Sequence, residues 1–512
     1  MYKLLEDQPS QLNDLSSDQI ICSAYNYYYG RGYKKIIVSK LFSIISFIFI
    51  ILFMVFIFDC VNYKKVIAYN KSNPFLTPQN HWITFSLGWF SILCLCISSV
   101  IICIKFYGVI CDAIQVRKMK NYFQNELKLS DYQLLSTKWK DIIDKMIKKE
   151  TISPNITYLD VANIIMKKEN YMIAMITNDQ FNIPYIDYLY TNLLDWNIRF
   201  CLLDFMFTNS HGGIGNLDIK FIANHSNAIE LNVKDINRRL TIMAIINIFF
   251  LPIIFIYVTL YNLFKLSEEY YSNPTSISTR SWTLISQYKI HEYNELPHLY
   301  QQRLSICSEK ANDYINQFPS YTFIPIYKFI SFILTALILY LLFLSLLNGE
   351  LTIFGFTILG YIGFFGIMLV SLHRIIHSYQ DHKTYIPSEK MQELAQCMHY
   401  IPKDWLSSAE SKETLNKIKN MYGYQLLLTL LDLAMTLVTP LVMIIILPKS
   451  IPTIVKFIRE NSVYTENSRY ICRMTCFDDS LKEDDPSKVN QSYLNFCHQY
   501  GHALLGHSVI NV

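Results

Sequence analysis

The sequence predicts an all-α polytopic membrane protein: four transmembrane helices, two re-entrant helical hairpins and a helical cytosolic layer. Three observations carry this. Six apolar runs occupy residues 41–58, 82–104, 240–264, 329–347, 351–372 and 426–447. About 20 apolar residues, rising 1.5 Å each, cross a hydrocarbon core of about 30 Å. The chain is 52% hydrophobic and 17% charged, and its apolar residues are clustered rather than spread. Two of the six runs carry a proline near the middle, Pro252 and Pro440, and basic residues flank the runs unequally.

Taken in order, residues 1–35 form a cytosolic N-terminus. No apolar stretch follows a basic start there, so no cleavable signal peptide is expected and the first run acts as a signal anchor. Arg31, Lys34, Lys35 and Lys40 precede that run and place this end in the cytosol. Spans 1 and 2 make a transmembrane hairpin over 36–104, around a lumenal loop at 59–81. That loop carries Lys64, Lys65 and Lys71 against the charge rule. It also holds Asn70-Lys71-Ser72, an acceptor tripeptide for N-glycosylation at Asn70. The second span ends at Lys105, and Lys105, Arg117, Lys118 and Lys120 return the chain to a cytosolic helical region at 105–239. Within it, 157–176 (TYLDVANIIMKKENYMIAMI) opens on a Thr/Asp cap and sets Leu159, Ile164 and Ile165 opposite charges. The stretch TNSHGGIGN at 208–216 is a loop.

The third run decides the topology. Each half of 240–264, on either side of Pro252, is about 12 residues or roughly 18 Å, too short to span alone. If the run crosses, 265–328 and the exit at His373 and Arg374 are lumenal. If it turns back, the short NGE loop is lumenal and Arg374, Lys383 and Lys390 are cytosolic. The second arrangement obeys the charge rule, so 240–264 is read as re-entrant hairpin 1. Residues 265–328 are then cytosolic, spans 3 and 4 occupy 329–372, and 373–425 is a further cytosolic helical region. The same logic makes 426–448 re-entrant hairpin 2 and 449–512 a cytosolic C-terminal region, with acidic 478–486 as a flexible tail.

Composition and motifs narrow the function. A net charge of +4 is mild and gives no reason to invoke nucleic acid; basic residues beside the apolar runs can meet anionic headgroups instead. The twelve cysteines form no evenly spaced framework and read as small hydrophobes. HEYNE at 291–295 lacks the second histidine of a zinc-protease HExxH helix. HGGIG at 211–215 is unaccompanied by a GxSxG nucleophile turn. Cys472, Cys476, Cys497, His498, His502 and His507 follow no standard zinc spacing, and no metal or other cofactor is expected. His373 and His377 fit headgroups or a carboxylate better than a metal. No phosphate-binding Walker loop occurs, so any transport is passive and no covalent catalysis is expected.

The most informative charge is Asp432, inside the sixth run. An ionisable group at membrane depth is expensive unless it is paired or wet. It is either a headgroup-level carboxylate paired to a neighbour or the wall of a water-filled cavity. Lys265, Glu268 and Glu269 leave the third run, and His373 and Arg374 leave the fifth. Together with Asp432 these are the candidates for a polar rim along which lipid headgroups could pass.

The blocks YLDVANIIMKKENYMIAMI, EEYYSNPTSISTRSWTLISQYKIHEYNELPHLYQQRL, HYIPKDW and VTPLVMIIILP occur in this order. In this the chain resembles the autophagy-related protein 9 family, over about residues 30–480. The resemblance implies a domain-swapped homotrimer of protomers with four spans and two re-entrant hairpins. It implies an ATP-independent phospholipid scramblase on Golgi- and endosome-derived vesicles that seed the autophagosome at the preautophagosomal structure. Its implied partners are phospholipids, a bridge-type lipid-transfer protein and other autophagy factors. A vesicle scaffold without lipid transport, or a passive channel, are the alternatives. In HEYNELPHLYQQRL, Glu292, Asn294, Glu295, Pro297, His298 and Arg303 are expected in structural or interface roles, with Glu292, Glu295 and Arg303 in buried polar contacts. Pro252 and Pro440 are expected to shape the hairpins. The chain departs from the family in its short tails, in Tyr293 where the family has Phe, in SVYTENSRYICRMTCFDDS where a glycine-rich stretch is expected, and in the lone Lys265 after hairpin 1.

Overall fold

The computed structural model of the chain describes residues 16–64, 87–207, 217–218, 221, 226–272, 279–318, 323–347, 352–353, 356–380, 385–399, 401–477 and 487–501, and these are mostly helical. Asn70 and the acidic stretch 478–486 lie outside them, as does the side chain of Arg374.

Two long apolar helices, Tyr33–Val55 and Trp89–Asn125, run antiparallel. Lys40 pairs with Asp112 at one end, and Lys105 lies 4.5 Å over the Phe47 ring farther along. At the other end the Asp59 carboxylate accepts the Gly88 N–H at 2.6 Å, tying the start of the second helix to the end of the first. The second helix does not stop at Lys105. It continues to Asn125, where Met119, Tyr122 and Phe123 are buried in the main core. A further pair, Phe323–Leu347 and Ile358–Gln380, is joined through the ribbon Thr352–Ile353 and Phe356–Thr357, and the two helices pack chiefly on each other. Both pairs turn large apolar side chains outward, among them Phe42, Phe49, Phe332 and Leu346. Apolar surface on that scale faces lipid or protein rather than water.

The interrupted runs differ from expectation, and from each other. No reversal occurs at Pro252: Ser226–Ser272 is one continuous helix of 47 residues, about 70 Å long. A proline removes one backbone bond and crowds the preceding turn, which a bend can absorb when packing holds both flanks. Here Ile236, Leu240, Ala244 and Asn247 hold the first flank in the main core. The ring pairs Phe47–Tyr257 and Phe53–Phe264 seat the second flank along the first apolar helix. At Pro440 the chain does break. Gln425–Thr436 ends at a turn over Leu437 and Val438, and Pro440 opens the next short helix, Thr439–Leu441. That is where a missing N–H costs nothing. A π turn over Val442–Ile446 then leads into Leu447–Glu460, and both halves pack along the Ser226–Ser272 helix.

Two cores make up the rest. The main one surrounds Tyr158–Thr177, opened by a reciprocal capping box between Thr157 and Asp160. This helix is buried on nearly every side, not on one stripe as its pattern predicts; even Lys167 is 2% exposed, its ammonium donating to the Ser468 carbonyl at 2.9 Å. Ser17–Tyr29, Trp139–Lys148, Leu447–Glu460 and Lys488–Tyr500 pack around it. The second core joins Pro297–Asn316, Pro387–Met398 and Lys412–Met421 through Cys307, Tyr314, Met391 and Ile418. Strand pairs Arg280–Trp282 with Tyr422–Tyr424, and Ser462–Thr465 with Arg469–Cys472, are small β additions to an otherwise helical chain.

Candidate functional site

Asp432 and Lys265 line one groove of about 410 Å³. Its walls are the C-terminal half of the Pro252 helix, the Gln425–Thr436 helix, the turn Asp187–Asn192 and the start of Leu284–Ile290. The Asp432 carboxylate is half-buried, and its partners are not cations. It accepts the Asn192 backbone N–H at 3.0 Å and the Asn192 side-chain amide at 3.2 Å. Asn192 is the first residue of the Asn192–Ile198 helix, so a carboxylate there meets unsatisfied backbone donors. From the opposite wall Lys265 lies 3.9 Å from Glu269, whose other oxygen accepts from Gln425 at 2.8 Å. Thr429, Asn262 and Gln287 add neutral polar groups, while Leu428 and Leu431 keep one side apolar. The groove thus offers both charge signs and neutral hydrogen-bonding groups beside an apolar flank, which suits a zwitterionic, hydrated group attached to a hydrocarbon tail.

The stretch 291–303 lies elsewhere, at the junction of the two cores. Glu295 takes Arg303 in a bidentate pair, at 2.7 Å from Nε and 2.5 Å from Nη2. Arg303 also donates to the carbonyls of Ile290 at 3.0 Å and Cys397 at 3.2 Å, filling its fork. Glu292 accepts His399 Nδ1 at 2.6 Å and the Asn495 amide at 2.5 Å. Burial works to raise the Glu292 pKa, but the His399 hydrogen bond and the Arg303 charge outweigh it and hold the carboxyl below its ordinary value. Asn294 stands in a left-handed conformation at φ 58°, which asparagine tolerates. Its amide bonds Asn170 at 2.8 Å and the Thr475 carbonyl at 3.2 Å, and its N–H returns to Asn170 at 3.0 Å. Pro297 opens the Pro297–Asn316 helix. His298 Nδ1 lies 3.0 Å from the Tyr25 hydroxyl, and burial lowers its pKa to about 4. Close by, Glu169 binds Arg199 at 2.6 and 2.9 Å, and Asp195 takes its Nε at 2.9 Å.

The structure therefore brings Lys265 and Asp432 to one groove, with Glu269 bonded to its wall residue Gln425, and gathers Glu292, Asn294, Glu295, Arg303 and His298 at the core junction. Glu268 is exposed on the Pro252 helix, and exposed His373 lies 3.5 Å from the Ser331 hydroxyl, outside the groove's lining. Sequence reasoning passed over Asn192, Asn170, His399, Arg199 and Asn495. Asn170 lies in the ENY triplet and His399 in HYIPKDW, both quoted above as blocks, so their place was visible although their partners were not. Asn192 and Asn495 carry no local signal. Among the described residues no group of three His, Cys, Asp or Glu side chains converges as a metal site.

Comparison with known proteins gives one consistent answer. The family model described as "Autophagy protein ATG9" matches residues 10–478. Autophagy-related protein 9 of Eremothecium gossypii is 28% identical over 515 residues, covering 95% of this chain and 55% of that protein. The Yarrowia lipolytica protein is 28% identical over 519 residues, covering 94% and 64%. The Komagataella pastoris protein is 30% identical over 487 residues, covering 90% and 54%. The chain thus spans little more than half, and at most 64%, of these curated relatives' length. Among solved structures, the cryo-EM structure of Schizosaccharomyces pombe Atg9 aligns with a TM-score of 0.66 at 25% identity, covering 90% of this chain and 98% of that one.

Proposed function

The chain belongs to the autophagy protein ATG9 family, and on that premise we propose that it is an ATP-independent phospholipid scramblase of the vesicles that seed and expand the autophagosome membrane. The observation that carries the reading is the groove in which Asp432 and Lys265 face a common polar space beside the interrupted apolar segments. Lipids cross between leaflets slowly because the headgroup must leave water. A wet, polar groove at the edge of an apolar helix lets the headgroup slide while the tails stay in hydrocarbon. Passive exchange of this kind needs no nucleotide and no covalent step.

Placement in the membrane follows the same reading. Four helices span: Tyr33–Val55, Trp89–Asn125, Phe323–Leu347 and Ile358–Gln380. The Pro440 segment, broken at Leu437 and Val438, is embedded from the cytosolic side without crossing. The continuous Pro252 helix runs beside the first span, its ring pairs Phe47–Tyr257 and Phe53–Phe264 advancing together, and its two ends reach different parts of the fold. Ile236 and Leu240 sit in the main core, and Glu269 reaches Gln425 beside the second core, which the Glu292 and Arg303 contacts join to the first. The chain acts as a homotrimer. The Phe323–Gln380 pair, which packs chiefly on itself within the protomer, is the element exchanged with a neighbour. Golgi- and endosome-derived vesicles, a bridge-type lipid-transfer protein and other autophagy factors complete the proposed setting, with the N- and C-terminal regions cytosolic.

The test uses liposomes with fluorescent lipid in both leaflets and dithionite added outside, without nucleotide. Protein-free liposomes lose about half their signal, because only one leaflet is reachable. Liposomes holding the protein should bleach nearly completely while retaining a trapped dye. Bleaching that stops at half removes the scramblase reading and leaves a vesicle scaffold; loss of the trapped dye assigns a channel instead.

A further inference from the structure

We infer that the cavity where the Ser17–Tyr29 helix turns into the first apolar helix binds the phosphorylated polyol headgroup of an anionic phospholipid. This rests on the reading that the basic flank of the first apolar helix lies at the cytosolic membrane surface.

The cavity holds about 980 Å³, room for a sugar-sized group and its phosphates rather than one small ion. It shares no lining residue with the Asp432 groove. Three cations line it, Arg31, Lys35 and Lys40, and no carboxylate is among the lining residues. Asp112 engages Lys40 from the neighbouring helix. Arg31 and Lys35 are exposed and make no ion pair among the described residues. Asp131 stands behind the turn, where it accepts the Tyr27 hydroxyl at 2.6 Å, and does not line the cavity. The turn itself is fixed in shape. Arg31 has φ 58° and Gly32 φ 94°, and a Cβ on Gly32 would fall 2.9 Å from the Asp131 carboxyl carbon.

Neutral groups complete the chemistry. Gln301, Gln302 and Ser39 offer amides and a hydroxyl to the hydroxyls of a polyol. Beside them His298 is uncharged at neutral pH, with the Tyr25 hydroxyl on Nδ1. Ile36, Leu134 and Leu135 give an apolar wall for the glycerol and the first acyl carbons. Cations alone would take any anion. Cations beside amides and an apolar wall, at the point where the chain enters the membrane, select a headgroup still attached to its lipid.

The experiment titrates the full detergent-solubilised chain with dioctanoyl phosphatidylinositol 4-phosphate, dioctanoyl phosphatidylcholine and deacylated glycerophosphoinositol 4-phosphate. Saturable binding of the first, far tighter than of the other two, is expected. The double variant Arg31→Gln, Lys35→Gln should weaken it about 30-fold, from roughly 1 kcal/mol per basic residue near an anionic group. Gln301→Glu with Gln302→Glu should weaken it as well, by adding negative charge without touching the turn. Equal affinity for phosphatidylcholine overturns the proposal, and so does binding unchanged in both double variants. Equal affinity for the deacylated headgroup overturns the lipid assignment in favour of a soluble polyol phosphate. Dithionite scrambling is read on the same preparations. A wild-type protein that binds the phosphoinositide but does not scramble refutes the proposed function while upholding this site.

Discussion

Replacing Arg303 by Met tests whether the core junction is held by a charge pair. Met fills most of the aliphatic volume and removes the guanidinium. In the native protein the Glu295 side chain is 2% exposed and that of Arg303 10%, so water cannot replace the lost partner. Breaking a buried pair from one side costs about 3–5 kcal/mol, because the remaining carboxylate stays buried and unpaired. The carbonyls of Ile290 and Cys397 lose their donors in the same step. At about 1.4 kcal/mol per tenfold, local opening of the junction should rise between about a hundredfold and a few thousandfold. Hydrogen exchange of the full chain, followed by mass spectrometry over peptides covering 288–304 and 391–399, reads that opening directly. Arg303→Met should accelerate exchange there and leave the 158–177 helix protected. Adding Glu295→Gln should recover part of the loss, since a neutral amide costs less to bury than a lone carboxylate. Unchanged exchange in Arg303→Met, or a double variant whose loss equals the sum of the singles, would show that the pair does not hold the junction.

Further outcomes follow from neighbouring geometry. Asn294→Ala removes both side-chain bonds to Asn170 and Thr475 and forces an alanine to φ 58°, so it should destabilise by more than about 2 kcal/mol in thermal melts. Tyr293→Phe loses a hydroxyl shared between the Met474 sulfur and the Thr177 side chain and should stay within about 1.5 kcal/mol of wild type in the same melts. Asp432→Leu removes the acceptor of both Asn192 bonds and one of the groove's carboxylates; under the proposed function, lipid exchange in the dithionite assay should slow while the elution volume of the protein is unchanged. For His298 the folded pKa, about 4, lies below the ordinary value of 6.5. The unfolded chain therefore binds the extra proton first as pH falls, and stability is lost between about pH 6.5 and 4. A His298→Gln variant, scanned by melting temperature across that window, should show a shallower fall.

Some of this protein is local chemistry and was legible in residue order. Uncharged runs of bilayer length can only be buried in lipid or protein, so the long apolar helices follow from composition and length. The Thr157 cap, the Pro440 break and the Pro297 helix start are set by residues within a few positions of one another. The ordered blocks carried the family. Other features depended on partners far away in sequence. Pro252 should have broken its helix by local rules; packing of Ile236 and Leu240 on one flank and Phe264 on the other keeps it whole. The 158–177 helix reads as one-sided, yet neighbours cover its polar face as well, because Ser468 and Arg199 arrive to satisfy Lys167 and Glu169. Asp432 announced itself as a costly charge, but its partner, Asn192, stands 240 residues away and carries no pattern of its own. Periodicity reports only how a segment divides its own surface between apolar and polar. Which group meets a buried charge is fixed by the fold that brings the two together, and that belongs to tertiary structure alone.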